Sequence, residues 1–213
     1  YGADGMEGII HPLNDDWMIG SVQFGGKTRT KDGGYTQDGA GNVENGAWIA
    51  PLFYDPINQM KIYSLGDKVT VSEDFGSTWT DLGTPFGLNE SINYATIAEN
   101  DSNNIIVTRA SQIKLSTDGG LTFNSIKSNL PNNYITDVVF DPNNDDVIIV
   151  TYGTYYGNNN KVYVTNNQGN TWQNITYNLG YLPVRSIIID HTENSNIYPV
   201  SYTHLTLPTT AIV

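Results

Sequence analysis

The side chains that could do chemistry are mostly oxygen-bearing, so hydrolysis, calcium binding and sugar recognition are the chemistries to weigh first. The stretch Asp141-Pro142-Asn143-Asn144-Asp145-Asp146 offers the hard oxygen ligands that calcium prefers. Its spacing is not that of an EF-hand loop, and a strand corner uses the same residue types, so it reads as a turn. His11 and His191 fall at corresponding corners with no partner at metal-ligand spacing. Cysteine is absent, which removes disulfides and thiolate metal sites. No Ser-His-Asp phrase, phosphate-binding loop or zinc motif occurs, and no metal or cofactor is expected. What remains lies toward the N-terminus. Asp4, Glu7, Gln23 and Trp48 supply carboxylate, amide and aromatic groups of the kind that hold a sugar or a peptide.

These groups sit in a chain that is globular by composition. Of its 213 residues 38% are apolar and 15% charged. Ten basic against 22 acidic residues give a net charge of -12, which argues against nucleic-acid or anionic-membrane partners and favours solubility. The longest apolar runs, such as Val147-Ile148-Ile149-Val150, cannot span a bilayer. Apolar residues alternate at every second position, so strands are expected and amphipathic helices are not.

The elements that position the candidates follow from a repeat. Thr30-Lys31-Asp32-Gly33-Gly34-Tyr35-Thr36 is followed by Ser72-Glu73-Asp74-Phe75-Gly76-Ser77-Thr78-Trp79. Ser116-Thr117-Asp118-Gly119-Gly120-Leu121-Thr122-Phe123 and Thr165-Asn166-Asn167-Gln168-Gly169-Asn170-Thr171-Trp172 complete the set, with starts 42, 44 and 49 residues apart. In this Ser/Thr-x-Asp-x-Gly-x-Thr-Trp/Phe template, Asp32, Asp74, Asp118 and Asn167 are expected to accept backbone N–H groups two or three residues on. Gly34, Gly76, Gly120 and Gly169 supply positive φ at a hairpin corner. Trp79, Phe123 and Trp172 are expected to be buried at equivalent positions against a neighbouring sheet. These residues, with Ser72, Ser116 and Thr165, are read as structural supports.

A second repeat, a strand with an Asp-Pro-like corner and a returning strand, precedes each box. Its copies include Ile9-Ile10-His11-Pro12, Phe53-Tyr54-Asp55-Pro56 and Phe140-Asp141-Pro142-Asn143. Short strands at a period in the forties indicate propeller blades. The expected fold is all-β, with about four four-stranded blades and the start of a fifth. Each box forms the hairpin between a third and a fourth strand. An insertion at residues 153–160 lengthens the fourth copy. Asp4, Glu7 and Gln23 are placed on or beside innermost strands at the channel mouth, and Trp48 at the start of the next inner strand. Inner strands also place polar residues for purely structural reasons.

These motifs resemble the Asp-box (BNR) repeats of sialidases, sortilin-like receptors, xyloglucan-cleaving endoglucanases and photosystem assembly factors. They resemble most the exported Asp-box propellers of Bacteroidetes, on the phrases Gly2-Ala3-Asp4-Gly5-Met6-Glu7, Gly46-Ala47-Trp48-Ile49-Ala50-Pro51 and Leu182-Pro183-Val184-Arg185-Ser186. The resemblance covers residues 1–198. It implies a secreted or cell-surface bacterial protein whose signal peptide precedes Tyr1. Sialidase chemistry needs three converging arginines with a tyrosine nucleophile and its glutamate, and Arg29, Arg109 and Arg185 occupy different points of their blades. The first blade resembles that of the xyloglucanases, where a catalytic Asp precedes a bulky residue and Gly-Gly; the matching position here is Gln23, before Phe24-Gly25-Gly26. An amide cannot serve as the general base of an inverting pair, though it can bond a sugar hydroxyl. The resemblance therefore implies a non-catalytic binding or scaffolding module for a glycan or protein ligand. A glycoside hydrolase with its site partly outside the fragment and a sortilin-like receptor are the alternatives.

Residues 199–213 are read apart from this unit. Within them, the run Val200-Ser201-Tyr202-Thr203-His204-Leu205-Thr206-Leu207-Pro208-Thr209-Thr210 resembles a translated sequencing adapter. They are expected to pack poorly, and His204 is not taken as a ligand.

Overall fold

A computed structural model describes residues 4–155, 160–179, 182–191 and 196–201. Four meanders follow one another. The first comprises β1 (Gly5–His11), β2 (Asn14–Val22), β3 (Lys27–Thr30) and β4 (Asp38–Gly39). The second comprises β5 (Leu52–Tyr54), β6 (Ile62–Leu65), β7 (Val69–Ser72) and β8 (Thr80–Asp81). In the third are β9 (Tyr94–Ile97), β10 (Ile105–Arg109), β11 (Gln112–Ser116) and β12 (Asn124–Ser125). In the fourth are β13 (Ile135–Asp141), β14 (Asn144–Tyr152), β15 (Val162–Thr165) and β16 (Gln173–Asn174). A two-stranded sheet, β17 (Ser186–Ile189) and β18 (Ile197–Val200), comes last. Every pairing is antiparallel between sequence neighbours, and first strands adjoin: β1 by β5, β9 by β13, β13 by β17. This is a β-propeller fragment of four blades and the start of a fifth.

The period of two explains why sheets stack here. Side chains alternate between the faces of a strand, so Ile105 and Val107 of β10 join a core with Tyr63, Leu65 and Val69 of the second blade. Ile106, between them, joins Val138, Phe140 and Ile148 of the fourth. Ile105, Ile106 and Val107 are all fully buried. Each such side chain contributes about 1.5–3 kcal/mol. One face of the first blade, around Met6, Ile10 and Met18, is covered by no other blade among the described residues, and Ile10 is 61% exposed.

All four boxes join third to fourth strands, and the Ser/Thr hydroxyl is their hub. It donates to the acid or amide in Thr30–Asp32, Ser72–Asp74, Ser116–Asp118 and Thr165–Asn167 at 2.7–2.8 Å. It also accepts the N–H of Gly34, Gly76, Gly120 or Gly169. The Asp side chains reach N–H groups three and four residues on, not two and three, as where Asp74 Oδ1 accepts from Ser77 and Thr78, both at 2.8 Å. Among the described residues, the one N–H that Asn167 Oδ1 accepts is that of Thr171, four on. The longer reach spans two successive left-handed residues, as in Phe75 (φ 56) with Gly76 (φ 80) and Gln168 (φ 52) with Gly169 (φ 84). A Cβ on Gly169 would meet Ile126 Cβ at 2.5 Å.

The closing aromatics differ from expectation in burial. Trp172 is 5% exposed, while Trp79 and Phe123 are only partly buried. Both tryptophans donate Nε1–H across a blade boundary at 2.8 Å, Trp79 to Ala40 O and Trp172 to Ile126 O.

The Asp-Pro corners join first to second strands. Buried Asp55 accepts the N–H groups of Ile57 and Asn58, and His11 takes the same place, accepting from Leu13 through Nδ1. His191 does not correspond to His11. By its hydrogen bonding Asp190 holds that place, as Asp55 does, and His191 sits one residue later, 3.6 Å from Glu99. The insertion lies between β14 and β15, with residues 156–159 outside the described set. Strand β18 continues through Pro199 and Val200, paired with Ile187 and Ser186, past the boundary drawn at 198. Residues 202–213, with most of the adapter-like run, lie outside the described residues. Among the described residues no helix is long and apolar enough to cross a membrane.

Candidate functional site

An antiparallel meander carries both box hairpins and corners at one end. The starts of first strands, the hairpins between second and third strands, and the connectors to the next blade share the other end. At that second end, on the channel side, the first strands of several blades border a cleft of about 410 Å³. Glu7 comes from β1, Leu52 and Phe53 from β5, Tyr94 and Ala95 from β9. Trp48, Ile49 and Asn93 come from connectors, and Tyr134 immediately precedes β13.

Trp48 does not begin a strand. It lies four residues before β5, in the connector from the first blade, and is 55% exposed. Several contacts fix that connector. Phe24, left-handed at φ 60, meets Trp48 edge-to-face at 5.3 Å, and its N–H bonds Trp48 O. Gly46 crosses this turn so closely that a Cβ would come within 2.4 Å of Phe24 O. Buried Asp67 accepts from Asn45 Nδ2 and Asn89 N–H, both at 2.8 Å, which ties together the connectors flanking the second blade. Burial would raise the Asp67 pKa, but these bonds outweigh it and leave the carboxyl below its usual range.

The four N-terminal candidates therefore divide. Glu7 and Trp48 line the cleft; Asp4 and Gln23 do not. Gln23 Nε2 donates to Asp4 Oδ2 at 2.8 Å, so those two satisfy each other beside it. Tyr94, Tyr134 and Asn93 were not singled out from the sequence. A usable signal existed, because Asn93-Tyr94-Ala95-Thr96 and Asn133-Tyr134-Ile135-Thr136 repeat one phrase ahead of the third and fourth blades. Burial pushes the Tyr94 hydroxyl above its ordinary pKa, and the nearby Tyr134 and Asp137 add to the shift against an opposing Arg185. Asp137 itself is held across the blade boundary by Ser186 Oγ and Ile187 N–H.

Chemically the cleft offers four aromatic side chains (Trp48, Phe53, Tyr94 and Tyr134), one amide and one carboxylate. Glu7 is the only acidic residue among its described lining, so a pair of carboxylates across a scissile bond is not assembled there. The arginines do not converge: Arg29 bonds Ser77 of a box, Arg109 pairs with Glu90, and Arg185 lies near Tyr94. No group of three or more His, Asp or Glu residues among the described residues could hold a metal ion.

No family model matches the chain, and no curated protein does. Solved structures do. A GH74 xyloglucanase from Xanthomonas campestris superposes with a TM-score of 0.67 at 16% identity, covering 87% of this chain and 32% of that one. YCF48 from Cyanidioschyzon merolae gives 0.59 at 13%, covering 94% and 65%. The extracellular domain of a one-component system from B. thetaiotaomicron gives 0.60 at 15%, covering 87% and 25%. The chain spans between 24% and 34% of the length of three GH74 structures. At such identities these likenesses show the propeller fold alone.

Proposed function

We propose that this chain is part of an exported, non-catalytic binding propeller that holds a glycan in the channel-face cleft. The observation that carries the reading is the grouping of Trp48, Tyr94 and Tyr134 around one cleft between adjacent blades. Sugar rings present C–H faces that stack on aromatic side chains, while Asn93 and Glu7 can bond hydroxyls. A volume near 410 Å³ is within the range of small-ligand sites. Export is supported by the resemblance to Bacteroidetes Asp-box propellers and by the extracellular neighbour.

Titration with neutral and charged oligosaccharides, followed by tryptophan fluorescence and calorimetry, tests the reading. Trp48→Ala and Tyr134→Ala should each weaken binding at least tenfold while leaving Tm unchanged. Binding untouched by either substitution would remove the cleft as the site. The hydrolase alternative is favoured by the GH74 likeness and by the small share of those chains that this one spans. Full-length protein incubated with β-glucans and aryl sialosides decides it. Turnover that survives Gln23→Ala but is lost on removing a carboxylate elsewhere would replace the binding reading.

A further inference from the structure

The Glu7 side chain poses a question that stacking alone does not answer. Glu7 bonds Ser21 through its backbone, but its carboxylate has no hydrogen-bond or ion-pair partner among the described residues. It borders the cleft shared by Trp48, Tyr94 and Tyr134. Open to water, the carboxylate is satisfied. A ligand lying across the rings removes that water and must supply a partner, or the carboxylate is left poorly solvated.

No described cation pairs with Glu7: Arg185 lies near Tyr94, and Lys27 Nζ is taken up by Gly25 O. Arg109 is paired with Glu90, and the acid Asp4 stands nearby, bonded to Gln23. Asp137 and Arg185 act on the Tyr94 hydroxyl in opposite senses. The chain as a whole carries a net charge of -12. Aromatic faces add to this bias, because the negative ring face attracts cations.

We infer, on the footing of the glycan reading, that the ligand carries a protonated amine: an amino sugar whose ring stacks among Trp48, Tyr94 and Tyr134 while its ammonium bonds Glu7. A neutral sugar hydroxyl could satisfy one carboxylate lone pair. An ammonium supplies charge and up to three donors, and charge-assisted hydrogen bonds are the stronger kind.

The experiment compares three trisaccharides of the same linkage: the β-1,4 glucosamine trimer, its N-acetylated form, and cellotriose. Calorimetry is run on the whole chain at low and high salt. The free-amine trimer should bind about tenfold tighter than the other two, and added salt should erase most of that margin. Glu7→Gln should bring it down to the level of cellotriose; Glu7 is exposed, so Tm should not move. Equal affinity for all three, or a margin that survives Glu7→Gln, overturns the amine inference and leaves the glycan reading standing. If no trisaccharide binds but a tri-lysine peptide does, in a Trp48-dependent manner, the sugar is wrong and the glycan reading falls with it. If nothing binds, both fall.

Discussion

At the two ends of the blades, polar side chains are used in opposite ways. At the box end, each Ser/Thr hydroxyl and each Asp or Asn oxygen is matched to a named donor or acceptor within the same loop. The result is a rigid, self-contained turn repeated four times. At the cleft end the loops differ from blade to blade: a left-handed Phe24 turn, an Asp67 staple, an insertion at 153–160. There Glu7, Trp48 and Tyr134 face solvent. Repetition marks the groups that build the ring, and departure from repetition marks the groups left over for a ligand.

The strongest way to break this contrast is to truncate one tryptophan at each end. Trp172 is 5% exposed, and its indole N–H bonds Ile126 O across a blade boundary. Trp172→Ala should cost about 3–5 kcal/mol in chemical denaturation. Trp48→Ala, at a site 55% exposed, should change stability by no more than about 0.5 kcal/mol. Comparable losses at the two positions would show that the cleft end is structural as well.

The same contrast governs what the sequence made legible. Boxes and corners are periodic, so blade order, strand pairing and the role of Asp74 or Gly169 could be read from spacing. Burial of the closing aromatic could not. It depends on how far each blade is overlapped by its neighbour, and only Trp172 is deeply enclosed. At the cleft end no repeat places a residue in space. Glu7 could be assigned to the channel because β1 is a strand. Trp48 was misplaced because a connector held by Phe24 and Asp67 carries no strand period. Tyr94 and Tyr134 were missed because their shared phrase looks like ordinary strand approach. Gln23 was singled out as a binding candidate by likeness to a position that is catalytic elsewhere, but its amide bonds Asp4 and it does not line the cleft.

Titration separates the ends a second time, at opposite limits of pH. Lys27 opens β3 at the cleft end, buried, with Nζ donating to Gly25 O and standing 4.8 Å from the Trp79 ring centroid. Desolvation lowers its pKa to about 8 from 10.5. Below pH 8 both folded and unfolded chains carry the proton, and the fold bears the cost of a buried ammonium. From about pH 8 to 10.5 the unfolded chain binds more protons, so stability should rise with pH, by about 3 kcal/mol. Lys27→Met should abolish that rise. Parallel stability curves for the two proteins across the window would mean the lysine is solvated in the fold.

At the box end the sensitivity is to acid. Burial would raise the Asp74 carboxyl, but bonds from the Thr78 N–H, the Ser72 and Thr78 hydroxyls and the Ser77 N–H hold it at about 2. A depressed carboxylate pKa stabilises the fold above the unfolded value of 3.8, and the contribution disappears as pH falls from about 4 to 2. The fourth box uses Asn167 in the same place, with Nδ2 donating to Thr171 Oγ1 and Oδ1 accepting the Thr171 N–H. Asp74→Asn should therefore keep the turn, cost about 1 kcal/mol at neutral pH in this solvent-screened loop, and flatten the acid limb of the unfolding curve. An unchanged acid limb would place the acid-sensitive groups elsewhere.

The smallest effect tests whether the left-handed pair in each box is a backbone requirement that side chains merely tolerate. Two boxes place Gly at the first position of the pair, as Gly33 and Gly119; the others place Phe75 and Gln168, at φ 56 and 52. A side chain in that region costs about 1–2 kcal/mol, part of which Gly returns through its larger unfolded entropy. Gln168 is partly exposed, so Gln168→Gly should raise stability by about 0.5 kcal/mol. Phe75 has the same backbone but is fully buried, with ring centroids 5.3 Å from His11 and 5.8 Å from Trp17. Phe75→Gly should lose about 3–5 kcal/mol despite the same relief of strain, because the cavity term dominates. Opposite signs from one backbone conformation would show that the box turn is set by local geometry and that its side chains answer to the neighbouring blade. Two losses of similar size would show that Gln168 holds the fourth box in a way its hydrogen bonds do not reveal.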